Sequence, residues 1–221
     1  MNWLIILLIV LIVIILFYSY FKNWVLGITT VTTQTSLMNT TPPVLASKFT
    51  NPNSTRYAYG IWYYLNTLNT IDANVDEKII FSRTNDIKLY LDNNTASLYC
   101  ELYSTLGDNV ILVTSNFPLQ KWVYITVVVD NTIADIYLDG KLVKSVQIYQ
   151  VNPDKTSNLN FGSGYDAYIS KFQRWATPLD PQTIWSTYLS GNGSSTIGTN
   201  NYHMNVSLLK DDVPQKTITL F

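Results

Sequence analysis

The sequence contains few of the residues that carry out enzyme chemistry. Its 221 residues include one cysteine, Cys100, one histidine, His203, and two glutamates, Glu77 and Glu101. A single cysteine has no partner within the chain for a disulfide, and because Cys100 is in phase with two leucines we interpret it as a small apolar core residue. One histidine with one cysteine supplies neither a zinc ligand set nor a nucleophile with its base, so His203 is expected on an exposed strand.

Carboxylate pairs that could hydrolyse a glycosidic bond are also scarce. That reaction needs one carboxylic acid and one carboxylate facing the same bond, and Glu77 and Glu101 lack such a setting. Asp135 and Asp139 share one side of a predicted strand, but a turn motif already explains Asp139. We therefore expect no catalytic residue and no enzymatic activity, with a glucanase as a remote alternative.

An excess of charge of either sign is absent too. Fourteen lysines and arginines against fifteen aspartates and glutamates leave a formal charge of −1. Nucleic-acid binding requires a basic surface, so no nucleic-acid partner is expected. No cofactor is indicated, although carboxylates near the predicted loops leave calcium binding as an open alternative.

The sequence does have one long apolar run, at its start. Between residues 3 and 21 the one clearly polar residue is Ser19, and these nineteen residues, at about 1.5 Å each, span roughly the 30 Å of a bilayer core. We interpret 1–24 as a transmembrane anchor. A signal peptide cleaved after 25–27 is the alternative, although no basic side chain precedes the run. The anchor residues are Trp3, Leu4, Leu7, Leu11, Ile15, Phe17 and Phe21.

Composition divides the rest of the chain into three parts. Residues 25–55 are dense in Thr, Asn, Ser and Pro, which favours a polar stalk over a packed element. Residues 56–193 are assigned to one domain, because they are too few for two well-filled cores. Residues 194–221 are predicted to form a linker and a terminal β-hairpin.

The centre of the chain predicts antiparallel strands. Residues 122–129 are rich in β-branched and aromatic side chains, and 132–138 alternate between apolar and polar. Asp139-Gly140 then supplies the positive φ angles of a two-residue hairpin turn, and 141–148 return as the partner strand.

A characteristic pattern runs through these strands. Trp122 opens a long apolar strand, and a later strand ends in Tyr137-x-Asp139-Gly140 followed by Lys-Leu-Val. At these residues the chain resembles the laminin-G-like, concanavalin A-like jelly-roll family, and the resemblance extends from residue 57 to residue 193. The other segments that fit the family, in its order, are 57–62, 79–82, 87–91, 98–103, 159–162, 168–175 and a closing helix over 178–188.

The resemblance implies an all-β fold: a concanavalin A-like jelly-roll sandwich of two antiparallel sheets with one short helix. The helix also has local signals, because Asp180 can cap it, Pro181 suits its first position and Gly191 can end it. Trp62 and Trp122 are expected to be buried. The residues expected to determine the fold are Trp62, Trp122, Tyr137, Asp139, Gly140 and Trp175.

Many proteins of this fold bind sugars or calcium at loop edges, and this chain has tyrosines and aspartates near its predicted loops. Sixteen tyrosines in a β-rich chain make such neighbours common by chance, so no glycan-binding or metal-binding residue is assigned. The candidates are Tyr63, Tyr64, Tyr103, Tyr149, Tyr165, Asp86, Asp92, Asp108 and Asp166. Glycosylation sequons, at Asn39, Asn53, Asn93, Asn192 and Asn205, are no more frequent than chance predicts.

Within the family, the chain is most similar to membrane-anchored members encoded by large double-stranded DNA viruses, which share an anchor, a polar stalk and the run Pro-Leu-Gln-Lys-Trp-Val, here 118–123. This resemblance implies a non-enzymatic, single-pass protein of a virion membrane. It would contact membrane lipid and present its sandwich to a capsid or other virion protein, with the terminal hairpin as a candidate docking element. A glycan-binding adhesin is the alternative. Lys22, which directly follows the apolar run of residues 3–21, favours a cytosolic domain with unoccupied sequons.

Overall fold

The computed structural model describes Trp3, Phe17 and residues 7–15, 29–31, 34–70, 77–149, 156–193, 205–210 and 213–219. After a helical segment at 7–15, the chain forms strands, a short 3-10 helix at Ala46–Lys48 and helix α1 at Pro181–Leu189. The strands are β1 (Thr29–Val31), β2 (Thr35–Ser36), β3 (Arg56–Thr70), β4 (Glu77–Arg83), β5 (Ile87–Asp92), β6 (Leu98–Leu102), β7 (Asn109–Thr114), β8 (Trp122–Asp130), β9 (Ile133–Leu138), β10 (Lys141–Gln147), β11 (Leu159–Phe161), β12 (Tyr165–Trp175), β13 (Asn205–Lys210) and β14 (Val213–Thr219).

Two antiparallel sheets build the domain, which confirms the predicted all-β sandwich. The larger sheet has the order β1-β12-β3-β8-β9-β10, with β2 also paired to β12. The smaller sheet has the order β11-β4-β5-β6-β7. Strands β13 and β14 pair with each other, as the predicted terminal hairpin requires.

Strand β8 shows how the sequence fills the core. Side chains alternate between the two faces of a strand, and Val123, Ile125 and Val127 lie almost fully buried between the sheets. Tyr124 and Val128 point to the opposite, outer face, yet both are buried as well. A strand that is covered on both faces needs a nearly continuous apolar run, which explains the composition of β8.

The outer cover of β8 is helix α1. Asp180 caps the helix, because its carboxylate accepts a hydrogen bond from the Thr183 backbone N–H at 2.9 Å, and Pro181 occupies the first turn. Ile184 is fully buried against the outer face of the larger sheet. This second apolar cluster contains Ala58, Trp62, Tyr124, Val128, Tyr137, Trp175 and Ile184.

The turn between β9 and β10 has the predicted form. Asp139 and Gly140 have φ angles of 49° and 75°, and Leu138 pairs with Lys141 across them. The Asp139 carboxylate also accepts hydrogen bonds from the Tyr124 backbone N–H at 2.9 Å and from Lys121 Nζ at 2.8 Å. The turn is therefore tied to the start of β8 as well as to its own hairpin.

The prediction of a polar stalk over 25–55 is wrong for its C-terminal half. Leu37, Val44 and Phe49 are buried in the core, and Val44 forms a bridge with Leu159. Strands β1 and β2 pair with β12, at the edge of the larger sheet. The many Thr and Asn residues made the segment look unstructured, although three apolar side chains within it pack into the core. The folded domain therefore begins well before residue 56.

The predicted burial of the two strand tryptophans is half correct. Trp62 is buried at 6% exposure, whereas Trp122, at the first position of β8, is half-buried and packs against the edge of the cluster beneath helix α1. Trp175 and Tyr137 are buried in the cluster beneath the helix. The fold-determining roles of Trp62, Tyr137 and Trp175 stay a prediction.

Part of the predicted anchor belongs to the described residues. Leu7, Leu11 and Ile15 lie in the helical segment, and their side chains are exposed. No helix within the described ranges is long and apolar enough to cross a membrane. Leu4 and Phe21 of the predicted anchor lie outside the described residues, as does His203.

Candidate functional site

A row of three aromatic side chains crosses the outer face of the larger sheet, on strands β8, β3 and β12. Tyr64 on β3 lies opposite Trp122 on one side and Tyr168 on the other. The Tyr64 ring centroid is 5.5 Å from that of Trp122 and 6.2 Å from that of Tyr168. All three side chains are half-buried, so parts of their rings face solvent.

These rings line a surface cavity of about 250 Å³, together with the amide side chains of Gln34 and Asn66. Asn66 Nδ2 donates a hydrogen bond to Asp166 Oδ2 at 2.6 Å. We call this cavity the aromatic groove. Its outer rings lie two strands apart, which is about 10 Å, the length of a disaccharide.

Local structure fixes the position of Trp122. The Gln120 backbone N–H donates to Leu65 O at 2.8 Å, and the Tyr124 backbone N–H donates to the Asp139 carboxylate at 2.9 Å. Trp122 lies at the beginning of β8, between the two residues that make these hydrogen bonds. The groove residues of these strands are therefore held by strand pairing, which fixes a recognition surface more precisely than a free loop does.

Groups of this kind suit carbohydrate binding. Aromatic faces pack against the C–H faces of sugar rings, while amide and carboxylate groups bind hydroxyls. The same row also has a purely structural role, because cross-strand aromatic pairs stabilise antiparallel sheets by a few tenths of a kcal/mol to about 1 kcal/mol. The cavity and its amide lining are features that the structural role does not require.

A second cavity, of about 390 Å³, lies at a loop end of the smaller sheet. Tyr103 and Asp108, two of the predicted candidates, both line it. Burial and the nearby Glu101 carboxylate raise the pKa of Tyr103, so its phenol stays protonated and able to donate. We call it the loop cavity, and its lining residues are Asn85, Tyr103, Ser104, Thr105 and Asp108.

A third cavity, of about 480 Å³, lies on the open side of the sandwich, between the edge strands β7 and β10. It shares Asp108 with the loop cavity and continues along Val110, Leu112 and Lys144. Tyr149 lies beside its start, where the Tyr149 backbone N–H donates to Asn109 Oδ1 at 2.9 Å. Three predicted candidates, Tyr103, Asp108 and Tyr149, thus meet along one side of the domain.

Three other candidates are structural. Tyr63 and Tyr165 are buried in the core, where burial raises the pKa of both phenols, and Tyr165 OH donates to Ile79 O at 2.6 Å. Asp86 is fully buried. Its carboxylate accepts hydrogen bonds from Tyr57 OH at 2.6 Å and Tyr59 OH at 2.8 Å.

Asp92, the remaining candidate, organises a turn. Its carboxylate accepts hydrogen bonds from the backbone N–H groups of Asn94 and Thr95, both at 2.9 Å, and these bonds lower the pKa of Asp92. The Lys78 ammonium group donates to Asn93 Oδ1 at 3.0 Å in the same turn. Among the described residues, no group of three or more His, Cys, Asp or Glu side chains is arranged to hold a metal ion.

The residues considered for catalysis occupy structural settings. Asp139 is engaged in the hairpin turn, and both Glu77 and Glu101 form ion pairs with Lys88, at 3.0 and 2.8 Å. Cys100 is fully buried in the core, as predicted, and burial raises the pKa of its thiol.

Comparison with known proteins agrees with this architecture. Residues 38–192 match the family model described as the concanavalin A-like lectin/glucanases superfamily. No curated protein matches the chain.

Among solved structures, the ligand binding domain of botulinum neurotoxin serotype D in complex with N-acetylneuraminic acid aligns with a TM-score of 0.55 and 16% identity, over 75% of this chain and 45% of that one. The binding domain of botulinum neurotoxin DC in complex with rat synaptotagmin II aligns with a TM-score of 0.50 and 17% identity, over 61% and 35%. The chain thus spans less than half the length of either domain, and identities this low show the fold alone.

Proposed function

Because the chain belongs to the concanavalin A-like lectin/glucanases superfamily, we propose that it is a non-enzymatic, lectin-like protein that binds glycans in the aromatic groove. The observation that carries this proposal is the row Trp122–Tyr64–Tyr168 beside the amides of Gln34 and Asn66. The row offers stacking surfaces, and the amides offer donors and acceptors for sugar hydroxyls.

A membrane tether is part of the proposal. The apolar run from residue 3 to residue 21 is long enough to span a bilayer, and the described helical residues within it expose their apolar side chains. The tether holds the sandwich close to the membrane. Many copies on one membrane would raise the avidity of weak individual sites.

A glycan array tests the proposed function. The full chain is applied in a detergent without a sugar headgroup, since glucoside detergents would compete for the groove. We expect binding to a defined set of glycans that Trp122→Ala lowers at least tenfold. Trp185→Ala is the matched control, because Trp185 is also partly exposed but lies on α1 outside the groove. The absence of binding, or equal losses in both variants, would refute the assignment.

A second candidate function is that of a virion component whose sandwich contacts a capsid or other virion protein. It is favoured by the outer face of the smaller sheet, where Tyr90 stacks on Tyr99 at 5.4 Å and Tyr99 lies opposite the exposed Leu112. Flat aromatic and aliphatic surface of this kind is typical of protein interfaces. Under this candidate, Leu112→Asp lowers incorporation into purified particles, whereas Trp122→Ala leaves incorporation unchanged.

A further inference from the structure

We infer that the aromatic groove selects neutral glycans and rejects anionic ones, because a fixed carboxylate, that of Asp166, stands at one end of it. This inference rests on the proposed glycan-binding function and adds the chemical class of the ligand. It concerns charge selection, which neither the fold nor the family match specifies.

Asp166 faces the outer side of the larger sheet by regular alternation, because its neighbours Tyr165 and Ala167 are both buried in the core. Tyr165 pairs with Thr70 and Ala167 pairs with Leu65, so the extra residues of this irregular pairing lie on β3 and begin at Asn66. Here the Asp166 carboxylate meets Asn66 Nδ2 at 2.6 Å, and Asn66 lines the groove.

Among the residues that the structure describes, the groove lining carries no charge that would balance that of Asp166. The described lining side chains are three aromatic rings and two amides, which are all uncharged. The cation next to Trp122, Lys121, is engaged by Asp139, at 2.8 Å between Nζ and Oδ2. Asp166 is also only half-buried, so part of the residue remains exposed to solvent beside the groove.

A carboxylate in this place has opposite effects on two classes of sugar. It accepts hydrogen bonds from the hydroxyls of a neutral sugar, and bonds to a charged acceptor are stronger than neutral ones. A ligand that carries its own carboxylate or sulfate is repelled by about 1 kcal/mol at 4 Å in water and by more in a partly enclosed site. We expect about a tenfold preference for a neutral glycan over its anionic derivative.

The test is titration of the full chain, in a detergent without a sugar headgroup, with neutral and anionic probes. The neutral probes are N-acetyllactosamine, chitobiose, cellobiose and mannobiose, and the anionic probes are sialylated and sulfated forms of each scaffold that binds. Asp166→Asn removes the charge and keeps an oxygen that accepts from Asn66. This variant should bind each anionic probe within about threefold of the neutral parent, while Asp108→Asn in the loop cavity should leave the tenfold preference intact.

The possible outcomes distinguish a failure of charge selection from a failure of glycan binding itself. Equal binding of neutral and anionic probes by the unaltered chain, with loss in Trp122→Ala, would overturn charge selection and leave glycan binding standing. Discrimination that persists in Asp166→Asn would also overturn the inference, because the charge would then act from elsewhere. Failure of every probe to bind would overturn both.

Discussion

Asp86 holds together one end of the sandwich. Its carboxylate accepts bonds from two tyrosine hydroxyls and from Arg83 Nη1 at 3.0 Å, and all these groups are buried. Arg83 Nη1 also donates to Pro52 O at 2.7 Å, while Arg174 Nη1 donates to Thr50 O at 2.7 Å. This polar cluster therefore fastens the segment before β3 to the end of both sheets.

The first prediction concerns this cluster. Asp86→Ala should lower the free energy of unfolding by about 3–5 kcal/mol, because it leaves the buried Arg83 charge and two hydroxyls without their acceptor. Asp108→Ala is the control, since Asp108 is an exposed loop carboxylate, and it should change stability by less than about 0.5 kcal/mol. Urea unfolding measures both. A loss below about 1 kcal/mol in Asp86→Ala would show that water replaces the network.

A second prediction compares the two strand tryptophans. Trp62→Ala should cost about 3–5 kcal/mol of unfolding free energy, because Trp62 is buried between Tyr124 and Tyr188, with centroids 5.2 and 5.6 Å away. Trp122→Ala should cost less than half as much, because its ring is half-buried. Equal losses in thermal and urea unfolding would mean that Trp122 is a core residue and would weaken its assignment to the groove.

The hairpin between β9 and β10 provides a test at the scale of the element. Gly140→Val should damage folding for two reasons: Gly140 has a φ of 75°, and a Cβ there would approach Trp185 Cε3 at 2.6 Å. Gly164→Val isolates the first reason, since Gly164 has a φ of 86° with no atom within 4 Å of its Cβ position. The expected order of melting temperatures is unaltered chain, Gly164→Val, Gly140→Val. Equal melting temperatures for the two variants would show that the contact with Trp185 does not contribute to the loss of stability.

The cap of helix α1 gives a prediction that depends on pH. Hydrogen bonds to Thr183 hold the pKa of Asp180 below its ordinary value, so the ionised cap stabilises the fold above the unfolded pKa of about 4. This stabilisation is lost as pH falls through the lowered folded pKa. Asp180→Ala should therefore cost about 1 kcal/mol at pH 7 and less near pH 2. Asp180→Asn, which keeps a capping oxygen, should cost less at pH 7, and a pH-independent difference would contradict the charge effect.

Elements with strong local signals were predictable. Asp139-Gly140 specified its turn, and Asp180-Pro181 specified the helix start within a few residues. Strand β7 was not predicted, although its run Asn109–Thr114 is rich in aliphatic and β-branched residues and is bounded by Gly107-Asp108 and Ser115-Asn116. The aromatic groove could not be found from the sequence either. Tyr64, Trp122 and Tyr168 come together through strand pairing, which depends on the whole topology.

At the scale of the whole molecule, the segment before β3 is part of the domain. A chain that begins at residue 29 keeps β1, β2, Leu37, Val44 and Phe49, and it should be stable and remain dispersed without detergent. A chain that begins at residue 56 lacks all of these and should unfold at a lower temperature or aggregate, because three buried apolar side chains are lost. Equal melting temperatures would restore the stalk interpretation for residues 34–55.

The membrane tether is tested on the same scale. The full chain should sediment with membranes after alkaline carbonate treatment and require detergent for release, because an apolar span of about 30 Å resists extraction. The chain that begins at residue 29 is the control and should stay in the supernatant. Release of the full chain by carbonate would favour cleavage or peripheral attachment instead.

Sugar binding by Trp122 and its neighbours is the central proposal for this protein. The most direct measurement is a spectrum of the ¹⁵N-labelled tryptophan indole groups, recorded while the glycan selected on the array is added. Each indole N–H of the six tryptophans gives its own signal, and single Trp→Phe variants assign them. We predict that the Trp122 signal moves in proportion to the bound fraction, whereas those of Trp62, Trp175 and Trp185 stay in place. An unmoved Trp122 signal at saturating glycan would contradict the account.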